Sequence, residues 1–280
     1  LSAFVPHLRS PACWLFAKIS HVIQRAHNKE LATVSISKRD AIFAEPLAQV
    51  GDFVFDAAVV EVFPDMINRS VPGYQSILQG IGQWAKRLVQ PHSRVYDLGC
   101  SLGAATLSMR QQLEGRDGVE IIAIDNSSAM VERCQLHLDG YRSEVPVQVR
   151  CEDIRHSDID HAALVVMNFT LQFVPPEQRH ALLARIYAGL KPGGAVILSE
   201  KFRAEDAAMD ALLVDLHHEF KRANGYSELE IAQKRAAIEN VMRIDTLSTH
   251  QQRLQSIGFA LPQVWFQCYN FASLIAIKPD

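Results

Sequence analysis

Val95-Tyr96-Asp97-Leu98-Gly99-Cys100-Ser101-Leu102-Gly103 decides how the rest of the chain is read. An apolar strand runs into two glycines four apart, and Ala104-Ala105-Thr106-Leu107-Ser108-Met109 then reads as a helix. A strand, a sharp glycine turn and a helix start bring backbone amides close to a ligand at a helix N-terminus. Farther along, Ile121-Ile122-Ala123-Ile124-Asp125 reads as a second strand ending in a carboxylate, placed for the diol of a ribose. Together the two segments predict a nucleoside ligand on a Rossmann-like sheet.

Bulk properties narrow the classes. The 280 residues suffice for one large core, or a core with a small accessory unit. At 48% hydrophobic and 21% charged the composition is that of a soluble globular protein, with a net charge of -3 and no global basic field for nucleic acid. The five cysteines form no CxxC pair and no ligand-spaced set with histidine, so neither a disulfide framework nor a zinc site is expected, and a reducing, cytoplasmic setting fits. No apolar run approaches the roughly 20 residues that span a bilayer.

Outward from the glycine stretch the pattern alternates strand and helix. Strands are expected at 94–98, 120–125, 145–150, 163–168 and 195–200, with helices at 74–88, 104–113, 128–141 and 176–190. Near-continuous apolar strands predict a parallel sheet covered on both faces. Residues 263–268 and 271–277 read as two more strands joined by Tyr269-Asn270, an antiparallel hairpin that brings the strands to seven. Residues 203–245 are too long for a plain crossover and read as a helical insert, a lid or dimer arm, with Ser227 and Glu230 as a capping box. Residues 37–73 read as mostly irregular, broken by Pro46, Pro64 and Pro72 and draped over the ligand end of the sheet. Residues 1–36 form an extension whose apolar residues fall along one helical side, compatible with a surface helix, a presequence or a packed arm.

The glycine loop lacks the GxGxxG spacing of a dinucleotide site, since position 101 is serine and no third glycine follows. A diphosphate has no cradle, whereas Asp97 suits a cation, so S-adenosylmethionine is favoured over a dinucleotide. Asp125 reads as the ribose acceptor or as a helix cap. Asp153 reads as an acceptor for an adenine amino group, with Ile154 on the ring, or as an exposed turn acid. Asn168 ends the fourth strand as an amide contact or a structural cap, and Tyr74 covers the pocket or fills the core. Lys201 and Arg235 are the cations for an anionic second substrate; on its own, Arg235 equally suits a solvated helix face, and Glu200-Lys201 an ion pair. His217-His218 has no supporting metal ligands, and Cys100 has no histidine partner for covalent chemistry.

Val62-Phe63-Pro64-Asp65-Met66-Ile67, Arg69-Ser70-Val71-Pro72-Gly73-Tyr74, Asn168-Phe169-Thr170-Leu171-Gln172-Phe173, Leu198-Ser199-Glu200-Lys201-Phe202 and Phe220-Lys221-Arg222-Ala223-Asn224-Gly225-Tyr226-Ser227 join the glycine loop in a resemblance. Over about residues 39–277 the chain resembles the carboxy-S-adenosyl-L-methionine synthases of the class I methyltransferase superfamily. That resemblance implies a Rossmann-like, seven-stranded methyltransferase fold. It implies conversion of S-adenosyl-L-methionine and prephenate to carboxy-S-adenosyl-L-methionine and phenylpyruvate. A partner tRNA carboxymethyltransferase then uses the product at the wobble uridine. It also implies a homodimer, with Tyr74, Gly99, Gly103, Asp125, Asn126, Asp153, Ile154, Asn168 and Arg235 as ligand contacts. Arg235 would clamp the added carboxylate and Tyr74 would share the catalytic role. The implied chemistry is decarboxylation and aromatisation of prephenate, with carbon dioxide captured by a sulfonium ylide in a pocket closed to water. A conventional methyltransferase for a small molecule or tRNA shares Gly99, Asp125 and Asp153, as does a noncatalytic nucleoside binder.

Overall fold

Runs such as Val95–Leu98 and Leu164–Met167 hide both faces only when helices cover a sheet on each side. The computed structural model, which describes residues 38–239 and 241–280, arranges them in that way. Its strands are β1 (Arg94–Leu98), β2 (Glu120–Asp125), β3 (Val147–Cys151), β4 (Ala162–Asn168), β5 (Leu190–Lys201), β6 (Gln263–Cys268) and β7 (Phe271–Ile277). They form one sheet in the order β3-β2-β1-β4-β5-β7-β6. The first five are parallel, and β7 runs antiparallel to both β5 and β6.

Helices α1 (Ala57–Ser70) and α2 (Tyr74–Leu88) precede the sheet. The crossovers carry α3 (Ala104–Gln112), α4 (Ser128–Asp139) and α5 (Pro176–Gly189). Between β5 and β6 lie α6 (Ala207–Ala223), α7 (Glu228–Glu239) and α8 (Leu247–Ile257). Alternation along each strand sorts the core into two layers. Val95, Ile121 and Leu164 pack with Ile77, Ile81 and Met109 of α2 and α3. Their neighbours Tyr96, Ile122 and Val165 pack with Leu182, Ile186 and Leu254 of α5 and α8.

Three expectations are corrected. Residues 57–70 are a continuous helix despite Pro64 in its interior. An internal proline costs about 3 kcal/mol. Asp56 caps the first turn by accepting from Val59 N at 3.0 Å, and the stripe Val59, Val60 and Met66 is buried, which outweighs that cost. Second, β5 begins at Leu190, directly after α5; the Lys191–Gly194 turn is a wide irregularity within it, since Leu190 faces Ala162 and Ala195 faces Leu164. Third, Glu200 and Lys201 do not pair, because consecutive strand residues project to opposite faces. The expectation for residues 1–36 lies outside the described residues. Ser227 and Glu230 do form the capping box: Glu230 N donates to Ser227 Oγ at 3.2 Å, and Ser227 N to Glu230 Oε2 at 2.7 Å.

Candidate active site

In an open parallel sheet the C-terminal strand ends diverge where the strand order reverses, and ligands bind in that crevice. Here the reversal lies between β1 and β4. A cavity of about 530 Å³ sits over it, lined from the sheet by Asp97, Gly99, Asp125, Asp153, Asn168 and Lys201.

The glycine loop is built from left-handed backbone, with φ of +81° at Gly99, +49° at Ser101 and +83° at Gly103. A Cβ on Gly99 would stand 2.3 Å from Thr170 Oγ1, so the loop and the β4 turn approach as closely as backbone permits. Ser101 N and Ser127 N both donate to the Asp125 carboxylate at 2.9 Å, one to each oxygen. Asp125 therefore serves partly as the cap it resembles, while still lining the cavity. Burial raises its pKa and these amide bonds oppose the rise. Asp97 is fully buried and accepts from Thr106 Oγ1 at 2.6 Å; burial lifts its carboxyl to about 6.

Asn168 Oδ1 is buried without a hydrogen-bond partner. An acceptor left in that state costs free energy until something donates to it. The turn that follows is held by Glu200, which accepts from Leu171 N at 2.9 Å and Gln172 N at 2.8 Å. Phe169, at φ +62°, packs its ring against Tyr74, with ring centres 6.4 Å apart. Burial and the Asp97 charge push the Tyr74 hydroxyl well above the usual range, so it stays protonated. Asn126 and Ile154 also line the cavity. Asp153 is there too, but bound to Arg155, whose Nε donates to both its oxygens at 2.9 and 3.0 Å.

Gly103 and Arg235 are not among the lining residues. Gly103 caps α3 behind the loop, where a Cβ would meet Cys134 Sγ at 2.8 Å. The Arg235 guanidinium is half-exposed and paired with Glu239 on its own helix. Its charge nevertheless lowers the pKa of the lining residue Lys201, second only to burial. Arg235 thus stands at the rim of the cavity.

The residues missed in the sequence are the further cations inside, Lys221 and Lys234, which join the expected Lys201. Lys201, His217, Lys221 and Lys234 all line the same cavity as Asp125. Burial and mutual repulsion bring Lys221 down to about 7 and hold His217 neutral, at about 2. Lys234 Nζ contacts Ser70 Oγ at 3.0 Å and Asp40 Oδ2 at 3.4 Å, and burial lowers it to about 8. Lys234 falls in an otherwise apolar stripe with Ile231 and Ile238, and a charge interrupting such a stripe was the available signal. Aromatic residues Phe53, Phe55 and Phe63 close the cavity from the N-terminal side. Their segment is tied to α7, since Gln233 Nε2 donates to Phe43 O at 3.0 Å and Phe53 N to Ala237 O at 3.1 Å.

The cavity therefore has an acidic end suited to a cation and a diol, and a basic end suited to an anion. Among the described residues no group of three or more His, Cys, Asp or Glu is placed to hold a metal, and no helix is long and apolar enough to cross a membrane.

Comparison with known proteins agrees with this architecture. A methyltransferase domain profile matches residues 95–194. Carboxy-S-adenosyl-L-methionine synthase of Vibrio cholerae serotype O1 is 61% identical over 244 residues, covering 87% of this chain and 99% of the relative. Among solved structures, a putative O-methyltransferase from Nostoc punctiforme superposes with a TM-score of 0.54 at 15% identity, covering 79% of this chain and 59% of that one. Magnesium protoporphyrin IX methyltransferase from Synechocystis, with bound S-adenosylmethionine, gives 0.51 at 17% identity, covering 81% and 86%. These two likenesses concern the fold alone. Identity at the level of the Vibrio relative, across nearly its whole length, establishes that the chain belongs to the carboxy-S-adenosyl-L-methionine synthase family.

Proposed function

We propose that the protein converts S-adenosyl-L-methionine and prephenate into carboxy-S-adenosyl-L-methionine, phenylpyruvate and water. The observation that carries this reading is the pairing, in one cavity, of a carboxylate wall with a wall of buried cations. A methyl transfer offers no reason for the second wall; a reaction that consumes a dicarboxylate does.

The acidic end fits the sulfonium substrate. Asp125 keeps lone pairs free beyond its two amide bonds for a ribose diol. The orphaned Asn168 Oδ1 gains a donor when the amino-acid ammonium of the ligand lies against it. Asp97 supplies negative charge beneath the cationic centre, and Ile154 offers an apolar surface to the adenine. Asp153 reaches the adenine amino group with the oxygen lone pairs that Arg155 leaves free, or by releasing Arg155. Gly103 contributes by shaping the loop and Asn126 by facing the cavity. S-adenosylmethionine supplies the methyl that receives the carboxyl group, and prephenate supplies the carbon dioxide. The protein's part is to hold both, exclude water and keep the gas from escaping. Phe53, Phe55, Phe63 and Tyr74 make the dry walls that this requires. Arg235, at the rim, exchanges Glu239 for the new carboxylate.

The test is incubation of the purified protein with both substrates, followed by mass spectrometry. Expected are phenylpyruvate and a cofactor heavier by one carbon dioxide. A methylated acceptor with neither product overturns the reading. Arg235→Ala is expected to weaken binding of the carboxylated cofactor more than that of S-adenosylmethionine, and equal losses argue against the clamp. The reading extends to a cytoplasmic homodimer supplying a tRNA wobble-uridine carboxymethyltransferase. The stripe Met209, Leu212 and Leu216 on α6, 50%, 57% and 40% exposed, supports the homodimer.

A further inference from the structure

The basic wall carries more positive charge than the protein itself neutralises. Lys234 has the Asp40 carboxylate at 3.4 Å. Among the described residues Lys201 and Lys221 have no carboxylate within 4.0 Å. Glu239 and Asp210 act on Lys201 only as more distant charges. Lys201 approaches the Phe271 ring, with Nζ 5.9 Å from its centre, a contact too weak to replace an anion. Lys221 is faced by Lys201 from β5, by His217 and His218 from its own helix, and by Lys234 and Arg235 from α7. None of these groups is acidic. Buried ammonium groups in such surroundings are costly unless a ligand pairs them.

We propose that Lys201 and Lys221 form a two-point seat for a small dicarboxylate dianion, with Lys234 as the fixed third charge behind it. The inference rests on the proposed reaction, whose cosubstrate carries two carboxylates. Lys234 is immobilised by Ser70, Asp40 and Tyr226, so it contributes field rather than reach. Lys201 and Lys221 come from different elements, a strand end and a helix, and among the described residues offer two ammonium groups without a carboxylate partner. The seat discriminates by charge count: a dianion satisfies both lysines, whereas a monocarboxylate such as phenylpyruvate leaves one unpaired. It therefore favours retention of the substrate and release of the decarboxylated acid. Binding also restores the proton that burial, aided by repulsion from the neighbouring cations, drives from Lys221 near neutrality.

The experiment is calorimetric titration of the full chain with prephenate, in the presence of S-adenosylhomocysteine and in two buffers of different ionisation enthalpy. Prephenate binding is expected to take up protons, with uptake growing between about pH 6 and pH 8. Lys201→Met and Lys221→Met are each expected to weaken prephenate by roughly 10-fold or more, as loss of one charge-assisted hydrogen bond requires, while S-adenosylhomocysteine binding stays within about twofold. Phenylpyruvate is expected to bind the wild type more weakly than prephenate and to lose less in either variant. The proton uptake is read on the wild type, so it tests the seat even if a variant folds poorly. Prephenate binding without proton uptake and unchanged in both variants overturns the seat while leaving the proposed reaction standing. Lysine-dependent binding that yields no carboxylated cofactor keeps the seat and overturns the reaction.

Discussion

Replacing Gly99 by alanine tests the closest approach in the site. The added methyl meets Thr170 Oγ1 at 2.3 Å, Cγ2 at 2.4 Å and Cβ at 2.9 Å. The last of these belongs to a β-branched residue with little rotamer freedom, so a rotation of χ1 does not clear the clash. Two penalties add. A left-handed φ of +81° costs a residue with a Cβ about 1–2 kcal/mol. Forcing a methyl into a filled site costs about 1–3 kcal/mol more. The sum is about 2–5 kcal/mol of folding stability, a large part of what holds a domain together. Gly115 isolates the first penalty: its φ is +73°, but nothing lies within 4 Å of the position its Cβ would take. Gly115→Ala should therefore lose only about 1–2 kcal/mol in urea unfolding. The difference between the two variants measures the close approach, and Thr170→Ala in the Gly99→Ala background should recover part of it. If Gly99→Ala and Gly115→Ala cost the same, the loop and the β4 turn do not touch as described and the reasoning is wrong.

Asn168→Leu should leave stability unchanged or raised, because it deletes a buried orphaned acceptor, while S-adenosylmethionine affinity falls roughly 10-fold by calorimetry. Asp40→Ala should cost about 3–5 kcal/mol in urea unfolding, since it strands the buried Lys234 ammonium; a loss under about 1 kcal/mol refutes the pair. His217, held neutral in the fold, has a folded pKa of about 2 against 6.5 unfolded, so the unfolded chain binds the extra proton as pH falls below 6.5. The stability of the wild type relative to His217→Gln should then drop by about 1.4 kcal/mol per pH unit on acidification from that point, and a flat difference in denaturation midpoints argues against burial of a neutral ring.

The parallel core was readable because its strands are apolar on both faces and a helix packed on them carries a clear stripe, as at Ile77, Ile81 and Ala85 of α2. Asp125 and Asn168 were readable because the ends of such strands converge on one edge whatever the rest of the chain does. The helix at 57–70 was not, because Pro64 weighs against it locally and only packing at Val59, Val60 and Met66 reverses the balance. The basic wall was hidden for a related reason. Lys234 and Arg235 are neighbours in sequence but point about 100° apart on a helix. Which one enters the cavity depends on how α7 is rolled against Phe43 and Phe53, and that is set by residues some 190 positions away. The resemblance implied an arginine facing a ligand; packing places Lys234 in the cavity lining and leaves Arg235 half-exposed and paired with Glu239.

Lys234 reaches Asp40 across 194 positions of chain. Segments on either side of β1 to β5 thus meet at the cavity, while β6 and β7, which complete the sheet, follow later in the chain. During synthesis β1 to β5 can pair before α7 leaves the ribosome, so the parallel part of the sheet precedes a working site. Contacts of this sequence separation form late and open early. A ligand bound beneath the cover stabilises only the closed form and must lower the population of chains with the cover undocked. Bound substrate should then shield the segments around Asp40 and Lys234 from proteases while the central strands, already resistant, change little.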